Sequence, residues 1–226
     1  MKKKIFLTGA NGRIGSYLKK KLKKNFKVIE SDVTYGDDLS DNNYLKKKFE
    51  KRDIYAVIFC HGHNSTPTSK NKRNQISNLN QDSIQEFFEI NFFLNLNVIK
   101  NYMKFHKKGR VMNLSSIYSL KSPKHYIYKN FSKELGYSVS KSASNMMMKY
   151  FGTKYAKKFL FNSIVLAGVQ QKKLDNSFLK NYNINNPTGK MMQLDEILPV
   201  INFLLDKNNT HVNAQEIIVD GGWLSW

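Results

Sequence analysis

Three glycines at even spacing, Gly9, Gly12 and Gly15, separate a short apolar run from an amphipathic one, and they restrict the fold more than any other feature of the chain. Lys4 to Thr8 reads as a fully buried strand behind a lysine leader. From Ile14 to Leu22 the apolar residues Ile14, Leu18 and Leu22 recur at helical spacing with lysines between them. A strand, a glycine turn and a helix in that order suit the phosphates of a dinucleotide. Gly9 can make the tight turn, Gly12 can let backbone approach a pyrophosphate, and Gly15 can let the helix pack close to the sheet. The helix N-terminus adds N–H groups and a positive dipole end. Asn11, Arg13 and Ile14 fall within the same turn and are expected beside the cofactor. No Gly-Lys-Ser/Thr closes the turn, so a nucleoside-triphosphate loop is a poor match. A turn that needs glycine for steric reasons alone stays open as the alternative.

The rest of the chain alternates. Strands are predicted at Phe26–Ser31, Ile54–Cys60, Val111–Leu114, Phe159–Leu166 and Glu216–Val219. Helices are predicted at Tyr44–Phe49, at Ser83–Phe105 (stopped by Gly109), at Tyr137–Tyr155 and at Asp195–Leu205. Three segments break the rhythm: a polar loop at Asn64–Asn80, an apparent insertion at Ser119–Leu135, and a polar crossover at Gln170–Gly189. Alternation of this kind means a mostly parallel sheet covered on both faces. With no repeat or linker visible in 226 residues, the expected fold is α/β, a single doubly wound Rossmann domain over residues 1–226. The alternation by itself leaves flavodoxin-like folds open.

Composition narrows the partners. The net charge is +20, from 37 Lys+Arg against 17 Asp+Glu. Such a field attracts phosphate, but the lysines are spread along the whole chain and not gathered into one arm, so no nucleic-acid partner is expected. An anionic small-molecule substrate is compatible with it. The single cysteine, Cys60, excludes an intrachain disulfide framework. No apolar run reaches about 18 residues and no signal peptide opens the chain, so the expectation is a cytoplasmic protein with no membrane partner. His61 and His63 lie beside Cys60, but without a nearby carboxylate they read as loop histidines, and no metal is expected. Met146, Met147 and Met148 read as core filling. The tail Trp223-Leu224-Ser225-Trp226 is apolar enough to pack in a pocket or a dimer interface.

Two further groups carry chemistry. The second strand ends Glu30-Ser31-Asp32, and a carboxylate there can accept from the adenosine ribose 2′-OH while repelling a 2′-phosphate. Asp32 is the first choice and Glu30 the second, so either NAD or NADP is expected, with NAD slightly favoured. Asp38, with Leu39 beside it, is placed near the adenine. Later, the strand Val111–Leu114 runs into Ser115-Ser116, and Tyr137 and Lys141 stand four apart, on one face of a helix. An ammonium near a phenol stabilises the phenolate and would bring its pKa down toward neutrality. That phenol can exchange a proton with a hydroxyl or carbonyl oxygen which the serine also holds, while nicotinamide moves the hydride.

On the Thr8–Gly15 turn, the Asn113-Leu114-Ser115-Ser116 run and Tyr137-x-x-x-Lys141, the chain resembles the short-chain dehydrogenase/reductase family. The closing Val219-Asp220-Gly221-Gly222 is similar to the family's last-strand signature, and the pattern is mostly that of the classical branch. The resemblance implies that Ser116 contacts the reacting oxygen and that Tyr137 is the acid/base. It implies that Lys141 binds the nicotinamide ribose and lowers the tyrosine pKa, and that Asn91 supports a proton relay through the lysine. Gly62 would approach the ribose, Gly168 would pass behind nicotinamide, and Val169 would offer its N–H to the carboxamide. A homodimer or homotetramer is implied through the helices holding Asn91 and Tyr137.

The sequence departs from the family where Phe59-Cys60-His61-Gly62 keeps only the glycine of the usual stretch, and where the second and third strands lie too close for the usual helix and strand between them. The longer serine–tyrosine gap, with Tyr126, Tyr128 and Lys129, resembles a branch of bacterial nucleotide-sugar and flagellar-glycan biosynthesis. Lys121, Lys124 and Lys129 would then meet a sugar nucleotide's phosphates, unless the insertion only covers the pocket. The expected function is hydride transfer between the cofactor and a hydroxyl or ketone. A dinucleotide-sensing scaffold and a sugar-nucleotide epimerase or dehydratase are the alternatives; the last would call for an extra Asp/Glu pair around Ser116, which the sequence lacks.

Overall fold

Apolar residues alternate along the strands so that each feeds two layers. Ile5 and Leu7 on β1 (Lys4–Thr8), Ala56 and Ile58 on β3 (Ile54–Phe59), and Met112 and Leu114 on β4 (Gly109–Ser116) point to one face. There they pack against Leu18 and Leu22 of α1 (Arg13–Leu22) and Ile201 and Leu204 of α7 (Leu198–Leu205). Phe6, Val57, Phe59 and Val111 point to the other face. They meet Phe49 of α2 (Asn42–Phe49), Val98 and Tyr102 of α4 (Leu94–Phe105) and Met148 of α5 (Leu135–Lys154). The period-two pattern of a strand buried on both sides is thus what fixes the three-layer architecture.

The computed structural model describes residues 2–64, 79–128, 132–171 and 174–226. With β2 (Lys27–Ser31), β5 (Phe159–Leu166) and β6 (Glu216–Val219), the sheet has six strands in the order β2-β1-β3-β4-β5-β6, every pairing parallel. The chain moves outward from β1 to β2 and then returns past β1 to β3. The strand order therefore reverses between β1 and β3, where ligands of doubly wound sheets bind. This is the expected Rossmann-like fold, with the sheet wholly parallel.

Several boundaries differ from the sequence expectation. Between β2 and β3 the predicted short helix is present as α2, starting two residues earlier, and no strand forms, so β2 is an edge. The predicted helix at Ser83–Phe105 begins earlier, at α3 (Gln81–Phe88), where the Asn80 side chain accepts from the Ser83 N–H at 2.7 Å. A π turn at Glu89–Phe93 then separates α3 from α4. Gly109 does not stop that helix: His106 already has extended backbone, and Gly109 opens β4. The crossover at Gln170–Gly189 holds a helix, α6 (Asn176–Asn185), capped by Asp175 and anchored by buried Phe178 and Tyr182. Its many asparagines hid the pattern. The polar loop expected at Asn64–Asn80 lies, from 65 to 78, outside the described residues.

A third apolar cluster stands above the C-terminal ends of β4 and β5. It gathers Tyr118, Tyr128, Tyr137, Phe178, Tyr182 and Trp223. Trp223 stacks on Tyr182 with ring centroids 4.3 Å apart, so the apolar tail packs into its own chain's pocket wall. Among the described residues no helix is long and apolar enough to cross a membrane.

Phe49 is fully buried and packs edge-on against Phe6 at 5.0 Å. Phe49→Ala should destabilise the fold by about 3–5 kcal/mol, read as a fall in the urea midpoint with an unchanged slope.

Candidate active site

The glycine turn is built by close contact. Gly9 has φ +60°, and a Cβ there would lie 2.5 Å from the His61 backbone nitrogen at the end of β3. A Cβ on Gly15 would lie 2.0 Å from the Gly9 carbonyl oxygen, so α1 rests directly on the turn. Gly12 differs: a Cβ would meet only the Gly9 carbonyl, at 3.2 Å. The side of the turn left bare by Gly12 faces outward at the α1 N-terminus, where no side chain caps the helix.

Asp32 anchors this turn from β2. Its Oδ2 accepts the Asn11 N–H at 2.8 Å, and its Oδ1 accepts from the Thr34 N–H at 3.0 Å and hydroxyl at 2.8 Å. Burial works against the carboxylate's charge, but these hydrogen bonds outweigh it and hold the pKa below the ordinary aspartate range. Glu30 is turned away and ion-pairs with Lys19 and Lys23. Asp38 is exposed and accepts from the Ser40 N–H and hydroxyl, and Leu39 is buried beneath it.

Across the crevice, the end of β3 meets the π turn. Asn91 Oδ1 accepts the His63 N–H at 3.0 Å, and its Nδ2 donates to the Ser140 hydroxyl at 3.0 Å. The Asn91 carbonyl accepts from Asn95 Nδ2 at 3.0 Å and from the Ser144 hydroxyl. A Cβ on Gly62 would lie 3.1 Å from Asn91 Oδ1 and 3.3 Å from Lys141 Nζ, which places the glycine directly over the lysine. His61 Nδ1 lies 2.6 Å from the Thr8 hydroxyl. Burial first, and then the charge of Lys141, bring the His61 imidazole down to about 4.

Ser116 and Tyr137 line one pocket wall, whereas Lys141 is turned to the Leu114 carbonyl and Gly62. Ser116 ends β4, and its Oγ accepts the Tyr118 N–H at 3.2 Å. Tyr137 and Lys141 are both buried, one turn apart on α5. The expected fall of the tyrosine pKa is not what this geometry produces. Burial raises it by more than the neighbouring Ser116 hydroxyl lowers it. The Lys141 ammonium donates to the Leu114 carbonyl at 3.0 Å, and burial takes it down to about 8.

Tyr137 and Ser116 line a pocket that reaches Gly168, Val169, Ile14 and Arg13. Arg13 spans the crevice, donating to the carbonyls of Val169 at 3.2 Å and Gln170 at 2.9 Å. The lysines expected on phosphates are placed otherwise. Lys121 donates to the Leu224 carbonyl, and Lys124 donates to Asn185 Oδ1 and covers the Trp223 ring. Lys129 lies outside the described residues. The cation that does reach the pocket is Lys133, its ammonium 4.3 Å from the Tyr137 ring centroid. It falls inside the stretch read as an insertion, where no periodicity marked it.

Comparison with known proteins settles the kinship. The family model described as enoyl-(acyl carrier protein) reductase matches residues 4–224. The chain belongs to the short-chain dehydrogenase/reductase family. It is an oxidoreductase of that family, 25% identical over 97% of both chains to the post-translational flagellin modification protein A of Campylobacter coli. Among solved structures, a short chain dehydrogenase from Leptospira borgpetersenii with bound NAD+ superposes with a TM-score of 0.86 at 19% identity, covering 99% of this chain and 93% of the other. ElxO with NADP bound gives 0.81 at 18% identity, with both chains fully covered.

The family's dinucleotide cofactor fits the residues present. The turn bare at Gly12 and the uncapped α1 N-terminus suit the pyrophosphate, Asp32 suits the adenosine ribose, and with no side chain at Gly62 a ribose could approach within reach of the buried Lys141.

His61 generates a test of the crevice. Its imidazole titrates near 6.5 in the unfolded chain and near 4 in the folded one, so the unfolded state binds more protons between those values. Stability should therefore fall as pH drops from 6.5 toward 4, by about 3 kcal/mol. His61→Gln should flatten that part of a stability–pH profile measured by urea denaturation.

Proposed function

We propose that the chain is an NAD(P)-dependent oxidoreductase that moves a hydride between the cofactor and the hydroxyl or ketone of a small substrate, with a sugar or nucleotide sugar of surface-glycan biosynthesis as the substrate class. The observation that carries the reading is Ser116 and Tyr137 side by side in one pocket wall, with Lys141 one turn further along α5 and Gly62 over the lysine. The likeness to the flagellin modification protein supports the glycan assignment.

In this reading the glycine turn with Asn11, Arg13 and Ile14 holds the pyrophosphate, and Asp32 takes the adenosine ribose, with Asp38 and Leu39 beside the adenine. Asp32 retains one lone pair, on Oδ2, beyond its three internal bonds, and its charge disfavours a 2′-phosphate, so NAD is preferred. Gly168 and Val169 line the nicotinamide side, and Asn91 keeps the β3 loop and α5 in register around Lys141. When bound, the cofactor supplies the hydride acceptor or donor. Ser116 Oγ and the Tyr137 hydroxyl hold the substrate oxygen. Tyr137 donates its proton to that oxygen during reduction and removes it during oxidation, while Lys141 contributes positive charge as the phenolate forms.

The raised pKa of Tyr137 keeps the phenol protonated at neutral pH, which suits the proton-donating direction. Reduction is expected to be level through neutral pH and to fall as pH passes the phenol's pKa, whereas oxidation climbs toward it. No carboxylate lines the pocket among the described residues, which disfavours an epimerase or dehydratase that would need an Asp/Glu pair. Exposed Phe93, Val139, Met146 and Tyr150 on and beside α4 and α5 support a homodimer or homotetramer.

The test is hydride exchange with NAD and NADP across alcohols, ketones and nucleotide sugars. Tyr137→Phe should lose about 10²–10⁴-fold in kcat. Undiminished turnover in that variant removes Tyr137 from the proton-transfer role, and cofactor binding without exchange across the whole panel favours a sensing scaffold. Asp32→Asn should narrow the ratio of NAD to NADP affinity, and tighter binding of NADP by the unaltered protein overturns the cofactor preference.

A further inference from the structure

The pocket at Ser116 and Tyr137 is small, about 160 Å³, and takes only the reacting end of a substrate. A second cavity of about 550 Å³ opens on the other side of Tyr118 and Lys133, lined by Leu79, Leu120, Pro123 and Leu135 among others. Tyr118 and Lys133 line both spaces. A molecule whose reacting carbon sits at Tyr137 and whose remainder extends outward through this opening passes the Lys133 ammonium.

The charge at that junction is uneven. No carboxylate lines either cavity among the described residues. Arg13, the other cation of the inner pocket, is engaged with the Val169 and Gln170 carbonyls on the cofactor side. In the outer cavity Lys121 is engaged with the Leu224 carbonyl. Lys133 donates to the Asn64 side-chain oxygen and lies over the Tyr137 ring. Burial brings Lys133 down to about 7, a shift that an anion beside it would offset; its chain neighbour Glu134 favours the charged form but lines neither cavity. An ammonium in these surroundings gains most from an anion, because charge-assisted hydrogen bonds are the strong ones and water there is limited.

We propose that Lys133 is the anion-recognising residue of the substrate site, and that the substrate carries a phosphate or carboxylate which seats on it between the inner pocket and the outer cavity. This rests on the oxidoreductase reading and narrows its substrate class to anionic hydroxyl or keto compounds. Lys133 takes over the role that the sequence suggested for Lys121 and Lys124.

The experiment compares matched substrates with the NAD-loaded protein: 3-hydroxybutyrate against its methyl ester, and sorbitol 6-phosphate against sorbitol. The two pairs separate carboxylate from phosphate. The unaltered protein should prefer the charged member of at least one pair. Lys133→Met should raise KM for that member about 10- to 100-fold, leave kcat and the neutral member's KM unchanged, and Lys133→Arg should restore most of the loss. Equal losses for charged and neutral members, a fall in kcat at constant KM, or no preference in the unaltered protein would overturn the proposal.

If no member is turned over, binding decides. Malonate and inorganic phosphate are titrated into the NADH-loaded protein and read by NADH fluorescence. Binding of either anion, weakened at least tenfold by Lys133→Met, upholds the proposal, and unchanged or absent binding overturns it. Bound NADH with no hydride transfer counts against the oxidoreductase reading alone.

Discussion

The contact between α1 and the Gly9 carbonyl is the constraint on which the site depends. With no side chain at Gly15, the helix reaches the turn, and with none at Gly9, the turn reaches the end of β3. Those two approaches set the width of the crevice at the point where the strand order reverses. Asp32 then ties the turn to β2 through the Asn11 N–H, so one carboxylate links the edge strand to the glycine turn. The catalytic side hangs from the same frame. His61 bonds Thr8 of β1, His63 bonds Asn91, and Asn91 bonds Ser140, one residue before Lys141. A continuous series of short polar contacts therefore runs from the glycine turn to the helix that carries Tyr137.

Much of this was legible in the residues. β1, β5 and β6 appear where their apolar runs predict, because a strand buried on both faces leaves a continuous signal. Gly9 and Gly15 carry the steric duties their spacing suggests. Ser116 and Tyr137 share a pocket wall because a strand end and the face of α5 above it lie side by side in this topology. What stayed hidden depends on tertiary packing. Helix α6 is written in asparagines, and only Phe178 and Tyr182, four residues apart and buried under the aromatic cluster, reveal it. The shortened crossover was legible as a helix at Tyr44–Phe49, but its start was not: Asp41, which caps it, lies in a polar stretch with no apolar period.

Burial explains the main chemical surprise. Proximity of Lys141 in sequence suggests an acidified phenol, yet both groups lie in the interior and each is shifted toward its neutral form. The lysine is held by a backbone carbonyl of β4, and the tyrosine lies beside Ser116. The segment from 119 to 135 matters for the same reason. Tyr118 and Tyr128 share a hydrogen bond of 2.6 Å, Tyr128 stacks on Phe178, and Trp223 closes the row against Tyr182. This aromatic row forms one side of the pocket at Ser116 and Tyr137, and it is assembled from four separate stretches of chain.

The π turn at Glu89–Phe93 has an evolutionary side. One surplus residue in the helix points Asn91 at His63 and Ser140. Removing a single residue there would restore regular α spacing and improve the helix as a helix. It would leave the downstream face nearly in place, because five residues at π spacing turn about as far as four at α spacing, but it would remove the bulge that brings Asn91 to its partners. At this place the better-folded relative would be the one without the Asn91 contacts, so natural selection and local thermodynamics pull in opposite directions.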